Sequence, residues 1–281
     1  MKKKIIEISF ILIGIILIAY PIISACLSAF NQTVAISNYQ EVINNLSDEE
    51  KENELQKARD YNSEMEGIVS VDISMSSNED ETVSYLNVLN IGDAMAYISI
   101  PKIDVYLPIY HGLSEEVLQS GVGHLDTTSF PVGGKGTHAV LAGHTGLVRT
   151  KIFDDINKLK EKDKFYIDVL GETLAYEVDK IDVVLPDDTD TIVVEQNKDY
   201  VTLITCTPYM INTHRLLVRG SRVDLDEAEV IENIGPETNI NNISSKRKNN
   251  IFISIAIFIF IIVVFLIYFF KGKNKNARKG G

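Results

Sequence analysis

Two long apolar runs bracket this chain, and between them the hydrophobic period changes from helical to strand-like. Residues 10–30 carry no charge and follow Lys2, Lys3 and Lys4; residues 251–270 are twenty uncharged, almost wholly apolar positions. A hydrocarbon core needs about 20 such residues, so both runs are predicted to be transmembrane helices. Basic flanks stay in the cytoplasm. The N-terminal lysines and the tail cations Lys271, Lys273, Lys275, Arg278 and Lys279 place both termini inside. Residues 31–249 are then outside, although Lys246, Arg247 and Lys248 on the outer side weaken the rule locally.

Within the outer segment, residues 36–65 read as helix. Ser47 and Glu50 form a capping-box pattern, after which Leu55, Ala58, Tyr61 and Met65 recur at helical spacing. Residues 68–93 are rich in Ser, Asn and acidic side chains and are a poor core candidate, with a short helix possible around Tyr85, Leu86, Val88 and Leu89. From Ala96 the period becomes two. Strands are expected at 97–100, 105–110, 137–142, 165–170, 174–185, 200–206 and 215–223, with short helices near 114–119 and 153–159. Many short strands punctuated by Gly and Pro imply a mainly β protein, a closed barrel of about eight strands. The resulting division is an anchor at 1–30, a helical region and possible lid at 31–95, a barrel at 96–225, a linker at 226–250, a span at 251–270 and a basic tail at 271–281.

Charge narrows the partners. The whole chain has a formal net charge of −12, yet 16 Lys and Arg face 38 Asp and Glu between residues 31 and 245, which leaves −22 on that segment. Such a surface excludes nucleic acid and draws in cations; simple solubility is the plainer explanation. No carboxylate spacing resembles a calcium loop, and no metal or cofactor is expected. Of the two cysteines, Cys26 lies in the first apolar run and Cys206 in the barrel, so they are not expected to pair. Ile23-Ser24-Ala25-Cys26 resembles a lipoprotein cleavage box, but a second span downstream favours an uncleaved anchor.

Cys206 ends one strand, and Arg215 opens another after the loop Thr207-Pro208-Tyr209-Met210-Ile211-Asn212-Thr213. A thiol needs a nearby cation to become a thiolate, and acyl transfer needs a donor for its oxyanion. A cysteine nucleophile also needs a histidine. His111, His124, His138, His144 and His214 are the candidates. His144 leads, because Gly143 and Gly146 let the backbone turn sharply just after a strand. His138 lies within that strand and is expected to pack. His214 alternates to the face opposite Arg215.

At these residues the chain resembles the sortases. Thr202-Leu203-Ile204-Thr205-Cys206 looks like their TLxTC signature, Ala142-Gly143-His144 like their histidine motif, and Arg215 falls where their arginine lies. Cys206-Thr207-Pro208-Tyr209, Asn212 to Gly220, Leu107-Pro108-Ile109-Tyr110-His111-Gly112 and Gly121-Val122-Gly123-His124-Leu125 resemble class C, pilus-assembling members. The resemblance covers roughly residues 97–222. It implies that Cys206 attacks the Thr–Gly bond of a Leu-Pro-x-Thr-Gly-like sorting signal. His144 would serve as general acid and base, and Arg215 would stabilise the oxyanion or substrate carbonyls. A lysine amine of a pilin subunit would then resolve the thioester. Thr205 is a substrate-positioning candidate or a plain strand residue, and Ile204 is expected to face the barrel interior. Class C members commonly carry an Asp-Pro-aromatic lid anchor; here the matching stretch offers Asp72 and Ile73 without proline or aromatic. Met210 stands where the class usually has glycine.

Two rival readings remain at this level. One is a wall-anchoring sortase or thiol peptidase that uses a peptidoglycan amine or water. The other is a membrane-tethered surface protein without activity, itself a sortase substrate. Gly235-Pro236-Glu237-Thr238-Asn239 before the second span resembles a sorting signal only at its centre.

Overall fold

The computed structural model describes residues 2–64, 83–147, 151–186, 188 and 192–225. The lid candidates Asp72 and Ile73, the linker, the second apolar run, the basic tail and the 235–239 motif lie outside the described residues.

The first apolar run and the helix expected after it form one element. Helix α1 (Lys2–Asn45) is 44 residues long, or about 66 Å at 1.5 Å per residue. Asn31-Gln32-Thr33-Val34-Ala35 contains neither Gly nor Pro, so nothing stops it there. Its first part leaves Phe10 71% and Leu17 68% exposed. Among the described residues it is the one helix long and apolar enough to cross a membrane. Its second part buries a single stripe, Gln32, Ala35, Ile36, Tyr39 and Ile43, at the spacing of one helix face. The Gln32 amide donates to the Ser120 carbonyl (3.1 Å), and the Leu170 N–H donates to the Tyr39 hydroxyl (2.9 Å).

Helix α2 (Asp48–Glu64) begins at the expected capping box. The Ser47 N–H donates to the Glu50 carboxylate (2.8 Å) and the Glu50 N–H to Ser47 Oγ (3.3 Å), satisfying two donors the helix start would otherwise strand. Leu55 and Ala58 are buried as expected, and so is Asn62, a polar residue the apolar spacing does not mark. Its Oδ1 accepts the Phe130 N–H (2.6 Å) and its Nδ2 donates to the Phe130 carbonyl (3.1 Å). Helix α3 (Val83–Leu86) carries Tyr85 into an aromatic stack on His124 and Phe130. The Tyr85 hydroxyl donates to the His124 carbonyl (3.1 Å) and accepts the Gly112 N–H (3.0 Å). Residues 83–89 thus belong to the core, through Tyr85 and Leu89, although the polar stretch before them hides this in the sequence.

Eight strands follow: β1 (Ala96–Ile100), β2 (Val105–His111), β3 (Val122–His124), β4 (Thr137–Ala142), β5 (Lys164–Val169), β6 (Glu172–Val184), β7 (Asp199–Thr207) and β8 (His214–Val223). They close into a barrel in the order β1-β2-β3-β4-β7-β8-β6-β5. The β2/β3 and β4/β7 pairs are parallel and the others antiparallel. β3 escapes sequence reading because three residues show no alternation. Helix α4 (Glu115–Ser120) stands where a short helix is expected, with Ser114 Oγ accepting the Val117 N–H. The second expected helix is a single 3₁₀ turn, Ile156–Lys158.

Ile98, Leu107, Ile109, Leu141, Leu203, Val218, Phe165 and Ile167 have no exposed surface and line the barrel interior. Gly220 belongs to this lining: a Cβ there would sit 2.5 Å from the Phe165 ring. Pairing fixes which parity points inward, Leu141↔Leu203↔Val218. Ile204 has the opposite parity and does not face the interior as its sequence suggests. It packs outside the barrel with Val140, Ala142, Leu217, Val184 and Leu118. Both faces of β7 are buried, so the usual apolar-in, polar-out signal is lost.

Asn62→Ala removes both partners of the Phe130 backbone and is expected to cost about 2 kcal/mol. Denaturant unfolding measures it; an unchanged midpoint would contradict this role for the side chain.

Candidate active site

Three strands deliver the three residues singled out by the sequence. Cys206 on β7 is paired directly with Arg215 on β8. The parallel β4/β7 register ends at Ala142↔Ile204 and is extended by the Gly143 N–H donating to the Ile204 carbonyl (3.0 Å). Two residues beyond Ala142 is His144; two beyond Ile204 is Cys206. Period two along a strand puts Ile204 and Cys206 on one face. Cys206 therefore points to the outer face of β4, β7 and β8.

The turn that carries His144 is held from several sides. Gly143 is required by close approach, since a Cβ would lie 2.7 Å from both Ile152 and the Phe153 ring. The Phe153 N–H donates to the His144 carbonyl (3.0 Å) and the Gly146 N–H to Asp154 Oδ1 (3.1 Å). Thr205 points the other way from Cys206. Its hydroxyl donates to the Gly143 carbonyl (2.6 Å) and is hydrogen-bonded to the Thr145 hydroxyl. Thr205 is 2% exposed, so what the structure gives it is a grip on the His144 turn.

Sequence reading missed Glu115. Its carboxylate lies 3.3 Å from His144 Nε2, at the start of α4. The side chain is 67% exposed while His144 is 24% exposed. The hydrogen bond to Gln119, with smaller contributions from His144, holds the Glu115 carboxyl below the usual carboxylate range. The Ser114-Glu115-Glu116 start of a short helix was visible in the sequence; its reach to a residue 29 positions away was not. With Nε2 engaged by Glu115, Nδ1 is the other face of the ring.

Arg215 is 9% exposed, with Nη1 donating to the carbonyls of Asn212 (3.4 Å) and His214 (3.3 Å). His214 lies on the other face, hydrogen-bonded to Thr213. Beside Cys206 a cleft of about 330 Å³ is lined by Thr145, Phe153, Asp154, Tyr209 and Leu216 among others. Tyr209, Met210 and Ile211 form an exposed apolar loop tip, with Met210 75% exposed. Met210 adopts a left-handed backbone (φ 63°), the conformation glycine takes without strain. Neither cysteine is in a disulfide, and no cluster of metal-ligating side chains occurs among the described residues.

The other histidines are structural neighbours. His124 is fully buried, with Nε2 2.9 Å from the Ser129 carbonyl, and His138 packs as expected. Burial pushes their protonated forms down to about 3 and about 4; burial also lowers His111.

A sortase-domain family model matches residues 98–223. Sortase A of Listeria monocytogenes is 30% identical over 224 residues, covering 78% of this chain and 91% of that protein. The crystal structure of sortase C-1 from Actinomyces oris is 48% identical with a TM-score of 0.60, covering 63% of this chain and 99% of the other. Sortase C1 of GBS (Streptococcus agalactiae) Pilus Island 1 is 41% identical with a TM-score of 0.65, covering 70% and 94%. The chain belongs to the sortase family. It spans 58% and 65% of the length of two further curated relatives it matches, a sortase A and a sortase D from Bacillus species.

The buried histidines set a pH dependence. Their folded values lie below the ordinary ~6.5, so below that pH the unfolded chain binds more protons and stability falls with acidification. Asp168 and Asp199 oppose this: burial raises both carboxyls, that of Asp168 to about 6. They contribute two protons at most, against three from His124, His138 and His111. Unfolding midpoints measured from pH 7 to 4 should decrease overall. A midpoint that is flat or rises on acidification would contradict the buried neutral histidines.

Proposed function

We propose that this chain is a membrane-tethered cysteine transpeptidase that polymerises pilin subunits. The observation that carries the reading is the register: Cys206 opposite Arg215, with His144 two residues past the end of the β4/β7 ladder. Cys206 Sγ attacks the Thr carbonyl of a Leu-Pro-x-Thr-Gly-like signal, and Arg215 donates to the oxyanion or to substrate carbonyls. As the C–N bond breaks, His144 gives a proton to the leaving Gly amine. A lysine amine of another pilin subunit then attacks the Cys206 thioester and passes a proton to His144; the thiolate leaves and an isopeptide bond remains. Thr205 acts by holding the His144 turn. The cleft beside Cys206 gives a substrate an approach to the thiol.

The names of the two solved sortase C neighbours, one from a pilus island, support pilin as the substrate over a wall anchor. The acidic outer segment suits a cationic acceptor. The exposed apolar start of α1 supports tethering. With the second apolar run, the reading is a two-pass protein with its barrel outside and both termini in the cytoplasm.

The full chain in detergent, given a Leu-Pro-x-Thr-Gly peptide and a lysine-bearing pilin fragment, should form an isopeptide product that Cys206→Ala cannot make. A free acid alone would mean a hydrolase, and a product only with peptidoglycan amines would mean a wall-anchoring enzyme. His144→Ala should lower kcat/KM by at least ~10²-fold, the usual scale of general acid–base catalysis. Arg215→Lys should cost on the order of 10²-fold, because one ammonium cannot reproduce the guanidinium fork. Glu115→Gln should cost only about twofold to fivefold, as expected of an exposed ion pair. Loss as large as that of His144→Ala would show Glu115 to be indispensable instead.

A further inference from the structure

Helix α1 reveals which end of the barrel meets the bilayer. β4 and β7 end, and β8 begins, at the end that carries His144, Cys206 and Arg215. β6 starts at Glu172 at the opposite end and runs to this one, where Val184 pairs with Arg215. The β5–β6 turn at Leu170 and Gly171 therefore marks the far end. Ser120 lies at the active-site end, just before β3, whose Gly123 pairs with Ala142. Near its emergence from the apolar run, α1 is held there: Gln32 donates to the Ser120 carbonyl. About 10 Å further along the axis, the Tyr39 hydroxyl accepts the Leu170 N–H, and Ile43 lies 3.5 Å from where a Cβ on Gly171 would be. Residues 22–45 contain neither Gly nor Pro, so this stretch has no kink site. α1 thus passes from the active-site end to the far end, and its apolar part leaves the barrel at the active-site end.

An independent observation marks the same end. Among the described residues, the large hydrophobic side chains that are more than half exposed fall in two groups. One is the apolar part of α1. The other is Val183 (60%), Leu185 (59%), Tyr209 (58%), Met210 (75%) and Ile211 (66%). Val183 pairs with Leu216, next to Arg215, and Leu185 follows the end of β6. The other three are in the β7–β8 loop, so all five lie at the active-site end. Tyr209 leans on the His144 turn, its ring 3.3 Å from where a Cβ on Gly146 would be; Met210 and Ile211 make the tip. Residues 207–213 carry no charge, within an outer segment of formal charge −22. Met210 holds a left-handed backbone (φ 63°), which is unfavourable for any residue with a Cβ, and the barrel gives it no burial in return. A contact outside the barrel accounts for both features.

We propose that the active-site end of the barrel rests against the bilayer that holds α1, with Met210 and Ile211 at the interface and Val183 and Leu185 beside them. The proposal rests on the reading of α1 as a membrane tether. Apolar side chains at the headgroup boundary bind through the area they bury. An acidic surface gives an anionic leaflet no attraction, so this contact is apolar. It holds Cys206 at the membrane surface, where the thiol is reached along the plane of the bilayer.

The chain contains no Trp, so a single introduced Trp reports its own position. Leu17→Trp, Ile211→Trp, Leu185→Trp and Glu172→Trp variants of the full chain are reconstituted in phosphatidylcholine vesicles with plain or brominated acyl chains. Leu17→Trp tests the tether, and Glu172, exposed at the start of β6, is the far-end control. Ile211→Trp and Leu185→Trp should emit to the blue of Glu172→Trp and be quenched by brominated lipid. Bromine placed high on the acyl chain should quench them more than bromine near its end, as a depth of about 5–10 Å requires. Glu172→Trp should not be quenched. Quenching of Leu17→Trp without Ile211→Trp would overturn the bilayer contact and leave the tether standing. No quenching of Leu17→Trp would overturn the tether and the contact with it. A blue shift of Ile211→Trp that brominated lipid does not quench would mean that the tip is covered by protein, from this chain or a second copy, and would overturn the proposal. Quenching of Glu172→Trp as strong as that of Ile211→Trp would overturn the orientation.

Discussion

The parallel pairing of β4 with β7 is the constraint on which the rest depends. Parallel neighbours need a long crossover between them, and here that crossover includes β5 and β6, two of the eight strands of the barrel. Closing it brings Ala142 beside Ile204. The antiparallel β7/β8 hairpin then needs only a short loop to set Arg215 opposite Cys206. A slip of one residue in either register would turn Cys206 into the barrel interior. The buried lining of Leu141, Leu203 and Val218 on one face, and of Ala142, Ile204 and Leu217 on the other, guards against that slip.

The same geometry divides labour along β7. Residues of one parity, Leu203 and Thr205, work inward: Leu203 fills the core and Thr205 holds the Gly143 carbonyl. Residues of the other parity, Thr202, Ile204 and Cys206, work on the outer face. There Thr202 is hydrogen-bonded to His138, and Ile204 packs into the buried cluster with Val140, Ala142 and Leu217. The two threonines of this five-residue run thus serve opposite faces of the strand and are not interchangeable.

Much of this was legible in the residues. Seven strands, the capping box at Ser47 and Glu50, and the placing of Cys206 and Arg215 on neighbouring strands follow from alternation and turn chemistry. What could not be read comes from elements too short or too evenly apolar to show a period, and from contact between distant segments. β3 is too short to show a period. Asn62 is buried because it clasps Phe130, 68 positions away, and a polar side chain gives no apolar signal. Tyr85 sits after a polar stretch yet anchors an aromatic stack. Ile204 was assigned to the interior because both faces of β7 are apolar. Glu115 reaches His144 only once α4 is docked at the barrel end.

The central claim is that Cys206 carries the acyl group. Incubating the full chain with a Leu-Pro-x-Thr-Gly peptide and no amine, quenching in acid and mapping the digest by mass spectrometry tests it most directly. A single hydroxylamine-labile adduct on Cys206 with the mass of the peptide up to its threonine, lost in His144→Ala, is expected. An adduct on another residue, or product formed by Cys206→Ala, would contradict it.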